Sequence, residues 1–559
     1  MDSNADAARE ALLVKAAQAW VNDDDSAPDL AELSPAQLSP GQLGPAASVP
    51  DASAARDRVL YYLRAYYHRV VTEDLTSPSR LAAVAEAHAR LGLHRPQGRA
   101  LVGVRDAGLA QLDRGASASL VVDIVTDDMP YLVDSVATRL NRHHAEIRML
   151  VHPLLRVRRD VTGELLQIVG LSGDESAPAA AGELTESWIH VELERPTDRV
   201  TAEQLETDLR LVLDDVRVAT EDNARMEAAA RRLAGQLGAE PGRDAVEDGA
   251  LLSWLADGNF TFLGYREYDL VRSQDGAALR VVPGTGLGIL RHTRQGHSEL
   301  RPLSAPVAAR AQDPAERLVL AKANSRSTVY RGSYLDYVSV KKLGPDGAVA
   351  GEFRFLGLYS QAAHTAPVAS VPVIRRKVTQ VLAEAGMPPG SHDGKDLLEI
   401  LEDYPREELF EISAAELTPI ALGVLQLSER KQTRLFLRRD RYGRYMSCLV
   451  YLPRDRYTTR VRLRTQEILR EALNGASVDY SATIGDSALA RLHVVVRAER
   501  GHTVPQVDAA ALERKLAAAV RSWDEDFTDE ATQLLGEDRA QALLELCGAR
   551  IPESYQADV

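Results

Sequence analysis

A strand-to-helix loop at residues 127–132 holds the side chains of this sequence that are best suited to binding a small ligand. Asp127 and Asp128 precede Pro130, a pattern typical of a helix start, and they follow a segment of alternating apolar residues. The first backbone N–H groups of a helix have no partner inside the helix, so they can receive a carboxylate. The predicted ligand-binding residues are Asp127, Asp128, Met129, Pro130 and Leu132.

The same loop has a second interpretation, in which Asp128 simply caps its own helix. An acidic cap satisfies the same backbone donors that a ligand carboxylate would satisfy. From the residues alone, the cap is the favoured interpretation.

Common catalytic and cofactor signatures are absent from the sequence. It has no Walker A pattern, no H-E-x-x-H, no C-x-x-C and no Gly-Gly dipeptide. Gly284, Gly286 and Gly288 have the wrong spacing for a dinucleotide fingerprint and are predicted to form a turn. The histidines do not group, except for His143 and His144, which are predicted to lie at a solvated helix end. We therefore expect no catalytic, cofactor or metal site in this chain.

Arginines and aromatic residues alternate through residues 434–464, a pattern that can bind single-stranded nucleic acid. The whole chain, however, has 66 Lys and Arg against 81 Asp and Glu, a net charge of −15. Such a chain is a poor general binder of polyanions. The arginine-rich segment is predicted to be a solvated hairpin face or an internal contact with an acidic neighbour, and nucleic acid is not the expected partner.

Composition indicates a globular protein with several domains. The chain has 559 residues, 45% of them hydrophobic and 26% charged, which is enough for three or four cores. Only Cys448 and Cys547 are cysteines, so a disulfide scaffold is excluded and a reducing compartment is expected. No apolar run approaches the length of a membrane span, and residues 1–20 lack the layout of a secretory signal. We expect a soluble cytoplasmic protein.

Apolar periodicity places the candidate loop in a unit of ferredoxin-like type. A helix follows the loop, and a capping box formed by Thr201 and Gln204 opens a second helix. The order β-α-β-β-β-α is close to a split β-α-β unit, with one strand more and the final strand missing. Its strands are predicted at residues 119–125, 147–151, 165–171 and 188–193.

The remaining segments alternate between helical and mixed regions, which makes the expected fold class α/β (α+β) and multidomain. A proline-rich linker is predicted at residues 25–50, and helices follow at 52–74 and 80–91, the second with Gly92 as its C-cap. Further strands are predicted at residues 260–268, 319–323, 333–341, 352–359, 434–439, 444–452, 478–484 and 489–496. Further helices are predicted at residues 373–386, 392–403, 414–429, 458–473 and 508–521.

Four long segments resemble the N-terminal part of the large bacterial NAD-specific glutamate dehydrogenases. They read DIVTDDMPYLVDSVATRLNRH from residue 123, ESWIHVELER from 186, LLSWLADGNFTFLGYREY from 251 and LFLRRDRYGRYMSCLVYLPRDRY from 435. The resemblance extends from about Tyr61 to the last residue. It implies a regulatory and oligomerisation region with ACT-like domains that senses an amino acid.

The resemblance also implies partners and a cofactor for the complete enzyme, which converts L-glutamate and NAD to 2-oxoglutarate and ammonium. The implied partners are the chain's own downstream catalytic domain, further copies in a homo-oligomer and a small amino-acid effector. NAD belongs to the complete enzyme, and no cofactor is expected in this chain. Tyr131 stands where amino-acid-binding ACT loops carry a glycine, which favours the alternative of a ligand-free assembly scaffold.

Pattern and resemblance together divide the chain into seven parts. These are an N-terminal helix and proline-rich linker (1–50), a helical segment (51–115), a first ACT-like domain (116–235), a sensor-like α/β domain that is a second ACT- or PAS-like unit (245–385), a helical connector (386–430), an ACT-like domain of permuted order (431–523) and a helical tail leading to an absent catalytic region (524–559).

Overall fold

The computed structural model describes residues 2–22, 52–75, 77–106, 119–171, 182–194, 200–273, 276–292, 300–427, 432–485, 487–521 and 530–547. The predicted linker at residues 25–50 lies outside these ranges. Within them the fold is α/β, with three mainly antiparallel sheets joined by helices, as predicted. None of the described helices combines the length and the apolar character needed to cross a bilayer.

The first sheet has the strand order β1-β2-β6-β4-β5, and β3 also pairs with β6. Its two faces are covered by different helices, because neighbouring residues of a strand point to opposite sides. Val125 belongs to a core with residues of α1, α2 and α3, while Ile124 belongs to a core with residues of α4 and α5. The strands are β1 (Leu101–Asp106), β2 (Ser119–Asp127), β3 (Ile147–Val151), β4 (Leu154–Arg159), β5 (Leu165–Leu171) and β6 (Glu183–Glu194). The helices are α1 (Asp2–Val21), α2 (Ala52–Tyr66), α3 (Pro78–Gly92), α4 (Leu132–Arg142) and α5 (Ala202–Gly238).

Two helix ends differ from the prediction. Helix α2 ends at Tyr66, well before residue 74, where the Arg9 guanidinium donates to the carbonyls of Tyr67 and Val70. Gly92 lies inside α3 and is no C-cap, because Leu93 after it keeps a right-handed helical conformation. A Cβ on Gly92 would lie 2.3 Å from the Trp188 ring, so the glycine makes room for that ring.

The first sheet also has two strands that the pattern did not predict, β1 and β4. In β4, Leu155 and Val157 enter the core, while Arg156 and Arg158 on the other face approach Glu183. The arginines weaken the apolar signal of this strand, but Glu183 of the neighbouring strand β6 balances their charge.

Helix α5 joins the first sheet to the middle unit. Its 37 residues span about 55 Å. The capping box of Thr201 and Gln204 is present, as predicted. Buried Asp222, in the second half of the helix, accepts the backbone N–H of Gly288 at 2.8 Å, and Gly284 and Gly288 have positive φ. The predicted glycine turn is therefore fixed against α5.

The middle unit contains a seven-stranded sheet with the order β10-β8-β7-β13-β12-β11, and β9 pairs with β7. One face of this sheet forms the largest core with the helices that follow it. The strands are β7 (Phe260–Ser273), β8 (Gly276–Val281), β9 (Leu287–Gly288), β10 (Leu300–Pro302), β11 (Leu318–Arg326), β12 (Tyr334–Leu343) and β13 (Val349–Tyr359). The helices are α6 (Arg243–Trp254), α7 (Ala305–Ala311), α8 (Gln361–Thr365), α9 (Ile374–Glu384), α10 (His392–Asp403), α11 (Arg406–Glu411) and α12 (Ala414–Leu425).

The third sheet has the order β14-β15-β17-β16 and is also covered on both faces. Cys448 and Val450 pack against α13 and α14, while Leu449 and Tyr451 join the core of the middle unit and its helices. The elements are β14 (Arg434–Arg439), β15 (Tyr445–Pro453), α13 (Thr459–Ala472), β16 (Ser477–Thr483), β17 (Leu489–Arg497) and α14 (Ala509–Val520), followed by α15 (Glu537–Cys547).

Candidate effector loop and its contacts

The candidate loop turns sharply at Tyr131, which has φ 72° and ψ 2°, the left-handed conformation that favours glycine. Tyr131 is the N-cap residue of α4, and its side chain makes no capping hydrogen bond. The prediction that Asp128 caps the helix is therefore wrong. Asp128 is exposed, and its backbone N–H donates to the Thr185 carbonyl at 3.1 Å, which holds the loop against β6.

Asp127 anchors the start of the loop to a buried charge cluster. The fully buried Arg95 guanidinium donates to Asp127 at 2.6 Å and to Glu186 at 2.9 Å, and Arg159 donates to Glu186 from the other side at 2.6 Å. Burial opposes the charge of Arg95, but Asp127 and Glu186 still raise its pKa above the ordinary value. The backbone leading into the loop is therefore held rigidly.

The other predicted residues divide between core and surface. Leu132 is 2% exposed and belongs to the core between the sheet and α5, and Met129 packs against the same core. Pro130 is exposed beside Asp128. The side of the loop that solvent reaches is thus formed by Asp128 and Pro130.

A turn of the middle unit lies against the loop and α4. The ring centroids of Tyr131 and Tyr330 are 5.1 Å apart. The Tyr330 backbone N–H donates to Ser135 Oγ at 2.8 Å, and this hydroxyl donates to the Tyr131 carbonyl at 2.6 Å. Farther along α4, Arg142 donates to the Ser327 carbonyl at 2.9 Å. The turn at residues 327–332, here called the clamp turn, therefore fixes the conformation of the loop.

No local pattern pointed to Tyr330, which lies 195 residues from Ser135. In the sequence, this tyrosine lies between two strands and looks like an ordinary turn residue. Its contact with α4 exists only in the folded chain. Its positive φ of 67° cannot be inferred from the residue type, since glycine or asparagine is usual there. Long-range contacts of this kind are found only in the folded chain.

The prediction that the histidines do not group is also wrong. His88 and His190 both face Asp123 inside the first unit, and all three side chains are buried. His190 Nδ1 lies 2.6 Å from an Asp123 carboxylate oxygen. His88 Nδ1 lies 2.8 Å from the Tyr66 hydroxyl, and its Nε2 lies 3.1 Å from the Ile124 carbonyl.

These three residues could hold a metal ion, but hydrogen bonds already account for their arrangement. Burial lowers the pKa of His88 to about 4, so this ring is neutral at pH 7. Burial also opposes charge on His190, yet Asp123 and Glu192 raise its pKa above the ordinary value. The cluster therefore serves as a buried ionic hydrogen-bond network under α3.

The arginine-rich segment reaches a second buried cluster, here called the junction, where the middle sheet, α11 and the third sheet meet. Arg438 donates to Glu408 at 2.6 Å and 2.9 Å and to Glu411 at 3.3 Å. Next to them, Lys322 lies 2.7 Å from Asp336 and 2.8 Å from Glu407. The predicted internal contact with an acidic neighbour is thus confirmed at Arg438.

Three family models match separate parts of the chain. They are the glutamate dehydrogenase ACT1 domain at residues 62–209, the glutamate dehydrogenase helical motif 1 at residues 371–430 and the glutamate dehydrogenase ACT2 domain at residues 434–524. The first includes the candidate loop, and the other two meet at the junction.

Curated relatives agree with these matches. The NAD-specific glutamate dehydrogenase of Halomonas elongata is 35% identical over 451 residues, and that of Pseudomonas aeruginosa is 34% identical over 449 residues. Each match covers 79% of this chain but only 27% of the relative, so the chain spans about a quarter of their length. A crystal structure of PelD from Pseudomonas aeruginosa PAO1 aligns with 53% of this chain and 83% of its own, with 14% identity and a TM-score of 0.11, too low to support any argument. On the family models and the relatives, the chain belongs to the NAD-specific glutamate dehydrogenase family and carries its ACT1 domain, helical motif 1 and ACT2 domain.

Proposed function

We propose that this chain is the regulatory region of a cytoplasmic NAD-specific glutamate dehydrogenase and that it senses a small amino acid at the loop of its ACT1 domain. The complete enzyme would oxidise L-glutamate with NAD to 2-oxoglutarate and ammonium. Catalysis would take place in a domain outside this chain, in a homo-oligomer. The chain itself would supply the effector response.

The uncapped start of α4 is the observation that carries this proposal. The N-cap side chain, that of Tyr131, makes no capping hydrogen bond, so the first N–H groups of the helix suit an amino-acid carboxylate. Exposed Asp128 stands just before the helix and suits the ammonium group of the same ligand. A zwitterion fits the partly positive helix start and the negative carboxylate better than a simple anion or cation does.

Coupling to the rest of the chain would pass through the clamp turn. A ligand at the start of α4 would press on Tyr131, whose left-handed backbone costs about 1–2 kcal/mol and is held by Ser135 and Tyr330. A shift of Tyr131 would therefore move a turn of the middle sheet. Regulation requires that the effector bind one of two arrangements more tightly. Two such arrangements would be available: the loop with the clamp turn in place, and the loop with the clamp turn displaced.

Thermal unfolding of the chain with a panel of amino acids tests this proposal. A ligand at about 100 times its dissociation constant adds roughly 2.7 kcal/mol to the free energy of unfolding. We expect one amino acid to raise the melting temperature and Asp128→Ala to abolish that rise. Asp455→Ala, at an exposed aspartate of the ACT2 domain, is the matched control and should keep it. If no amino acid shifts the melting temperature, the ligand-free scaffold is the better account.

A further inference from the structure

A large cavity lies over the open face of the middle sheet, away from the candidate loop. Its volume is about 1080 Å³, just above the usual range for small-molecule sites. Leu335 and Leu356 of the sheet contribute apolar walls, and Tyr442, Arg444 and His502 of the ACT2 domain close one side. The cavity therefore lies between two units of the chain.

The lining is strongly basic although the chain as a whole is acidic. Nine Lys and Arg side chains line it, against two Glu. Both carboxylates are already paired: Glu352 with the Arg354 guanidinium, and Glu316 with Arg441 at 2.5 Å. Glu352 also accepts from the Tyr337 hydroxyl at 2.8 Å. Two carboxylates cannot neutralise nine cations, so the lining keeps an excess of positive charge.

Several lining cations have carboxylate partners just outside the cavity, and three have none among the described residues. Arg326 pairs with Asp479 and Arg444 with Asp440. Arg301, Arg310 and Arg500 line the cavity without a carboxylate partner in the described part of the chain. Guanidinium groups bind carboxylates and phosphates through two parallel hydrogen bonds, so these three are suited to holding an anion.

A buried polar group on the same sheet face also lacks a partner. Tyr268 is 0% exposed, and its hydroxyl has no hydrogen-bond partner among the described residues. Its ring lies under the Arg354 guanidinium, with 4.0 Å between the guanidinium carbon and the ring centroid. Arg301 lies over the same ring at 5.9 Å. Behind the cavity lining, the sheet face thus carries an aromatic ring under two cations and a hydroxyl without a partner among the described residues.

We propose that this cavity binds a small organic anion with a carboxylate or phosphate group and an apolar or ring-shaped body, held by Arg301, Arg310 and Arg500. This site is separate from the proposed amino-acid site at the ACT1 loop. The two would nevertheless communicate, since Arg326 and Thr328 line the cavity and Thr328 belongs to the clamp turn that holds Tyr131. The cavity would make the middle unit a second sensor.

Binding measurements on the whole chain at low salt test the proposal with two matched ligand pairs. AMP and adenosine differ by a phosphate, and adipate and adipamide differ by two carboxylate charges. We expect the charged member of at least one pair to bind and its neutral partner to bind at least tenfold more weakly. Which pair responds identifies the anionic group. Equal binding within both pairs, or no binding of either anion, would overturn the proposal.

Variants locate the anion and exclude a general effect of surface charge. The triple change Arg301→Gln, Arg310→Gln and Arg500→Gln should lower the affinity at least tenfold. The control triple, Arg460→Gln, Arg514→Gln and Arg539→Gln, removes the same charge from exposed arginines outside the cavity and should leave it unchanged. Retained affinity in the first triple, or an equal loss in both, would refute the site. Asp128→Ala should remove amino-acid binding and leave anion binding intact, which keeps the two proposals separable.

Discussion

Tyr131 and Tyr330 face each other with ring centroids 5.1 Å apart, and both have left-handed backbones, with φ of 72° and 67°. Such a conformation is costly for a bulky residue and persists only where surrounding contacts hold it. Here the contacts come from two different units of the chain. The pair therefore marks the place where the candidate loop and the middle sheet constrain each other.

This strain predicts an unusual order of stabilities at position 131. Tyr131→Gly should be more stable than Tyr131→Ala by about 1 kcal/mol, because glycine adopts positive φ without strain. The free energy of unfolding from urea titration measures the difference. Tyr61, in the middle of α2, is the control, where alanine should exceed glycine by about 1 kcal/mol. The same order at both positions would mean that Tyr131 is not strained.

A second prediction concerns Gly92 and the Trp188 ring. Alanine is normally favoured inside a helix, but a Cβ at Gly92 would lie 2.3 Å from the ring. Gly92→Ala should therefore lower the free energy of unfolding by about 1–3 kcal/mol. Gly235→Ala, in an open part of α5 with nothing within 4 Å, should raise it by up to about 1 kcal/mol. A stabilising Gly92→Ala would contradict the close packing of Trp188.

The junction predicts a large effect of a single arginine. Arg438→Met leaves Glu408 and Glu411 buried without their cation, and it should cost about 3–5 kcal/mol of unfolding free energy. Arg460→Met removes an exposed arginine of the same segment and should change stability by less than about 0.5 kcal/mol. Chemical denaturation of both variants gives the comparison. Similar small effects would show that the junction does not hold the units together.

His88 predicts a pH dependence whose sign follows from its lowered pKa. Burial brings the pKa of His88 to about 4, below the ordinary value of 6.5, so the unfolded chain binds more protons between these two pH values. Stability should therefore fall by about 3 kcal/mol as pH drops from 6.5 to 4, at 1.36 kcal/mol per pKa unit. Asp123, His190 and Tyr66 face this ring, and the raised pKa of His190 acts in the opposite direction, its contribution being lost as pH rises.

The measurement is the slope of unfolding free energy against pH between 4 and 6.5, in the native chain and in His88→Gln. The variant should lose part of the slope even if it is less stable at every pH. His502→Gln, at an exposed histidine, should keep the native slope. An unchanged slope in His88→Gln would show that the ring protonates in the folded state as readily as in the unfolded one.

Local signals predicted much of the fold, and long-range packing explains what they missed. The capping box of Thr201 and Gln204 and the helix at residues 392–403 depend on neighbours within a few residues, and both are present. The role of Gly92 depends on Trp188, nearly a hundred positions away, so a C-cap was the reasonable but wrong prediction. Strand β4 was missed because its arginines interrupt the apolar pattern. Glu183, which pairs with Arg158, lies on another strand.

For the candidate site too, local signals predicted the loop and long-range packing explains what was missed. The strand-to-helix loop was predicted from the alternation before Asp127 and the proline after Asp128, and it lies where the sequence placed it. Tyr131 was identified as a departure from the usual glycine. Its partner Tyr330 and the pairing of His88 with His190 could not be predicted, because only the folded chain brings these residues together.

The most direct test of the account is hydrogen exchange of residues 128–135 and 327–332, measured with and without the amino acid that stabilises the chain most. We predict that the ligand alters exchange in both segments of the native chain and in neither segment of Asp128→Ala. A change in the loop without a change in the clamp turn would contradict coupling through Tyr330. No change in either segment with any amino acid would contradict the sensing function itself.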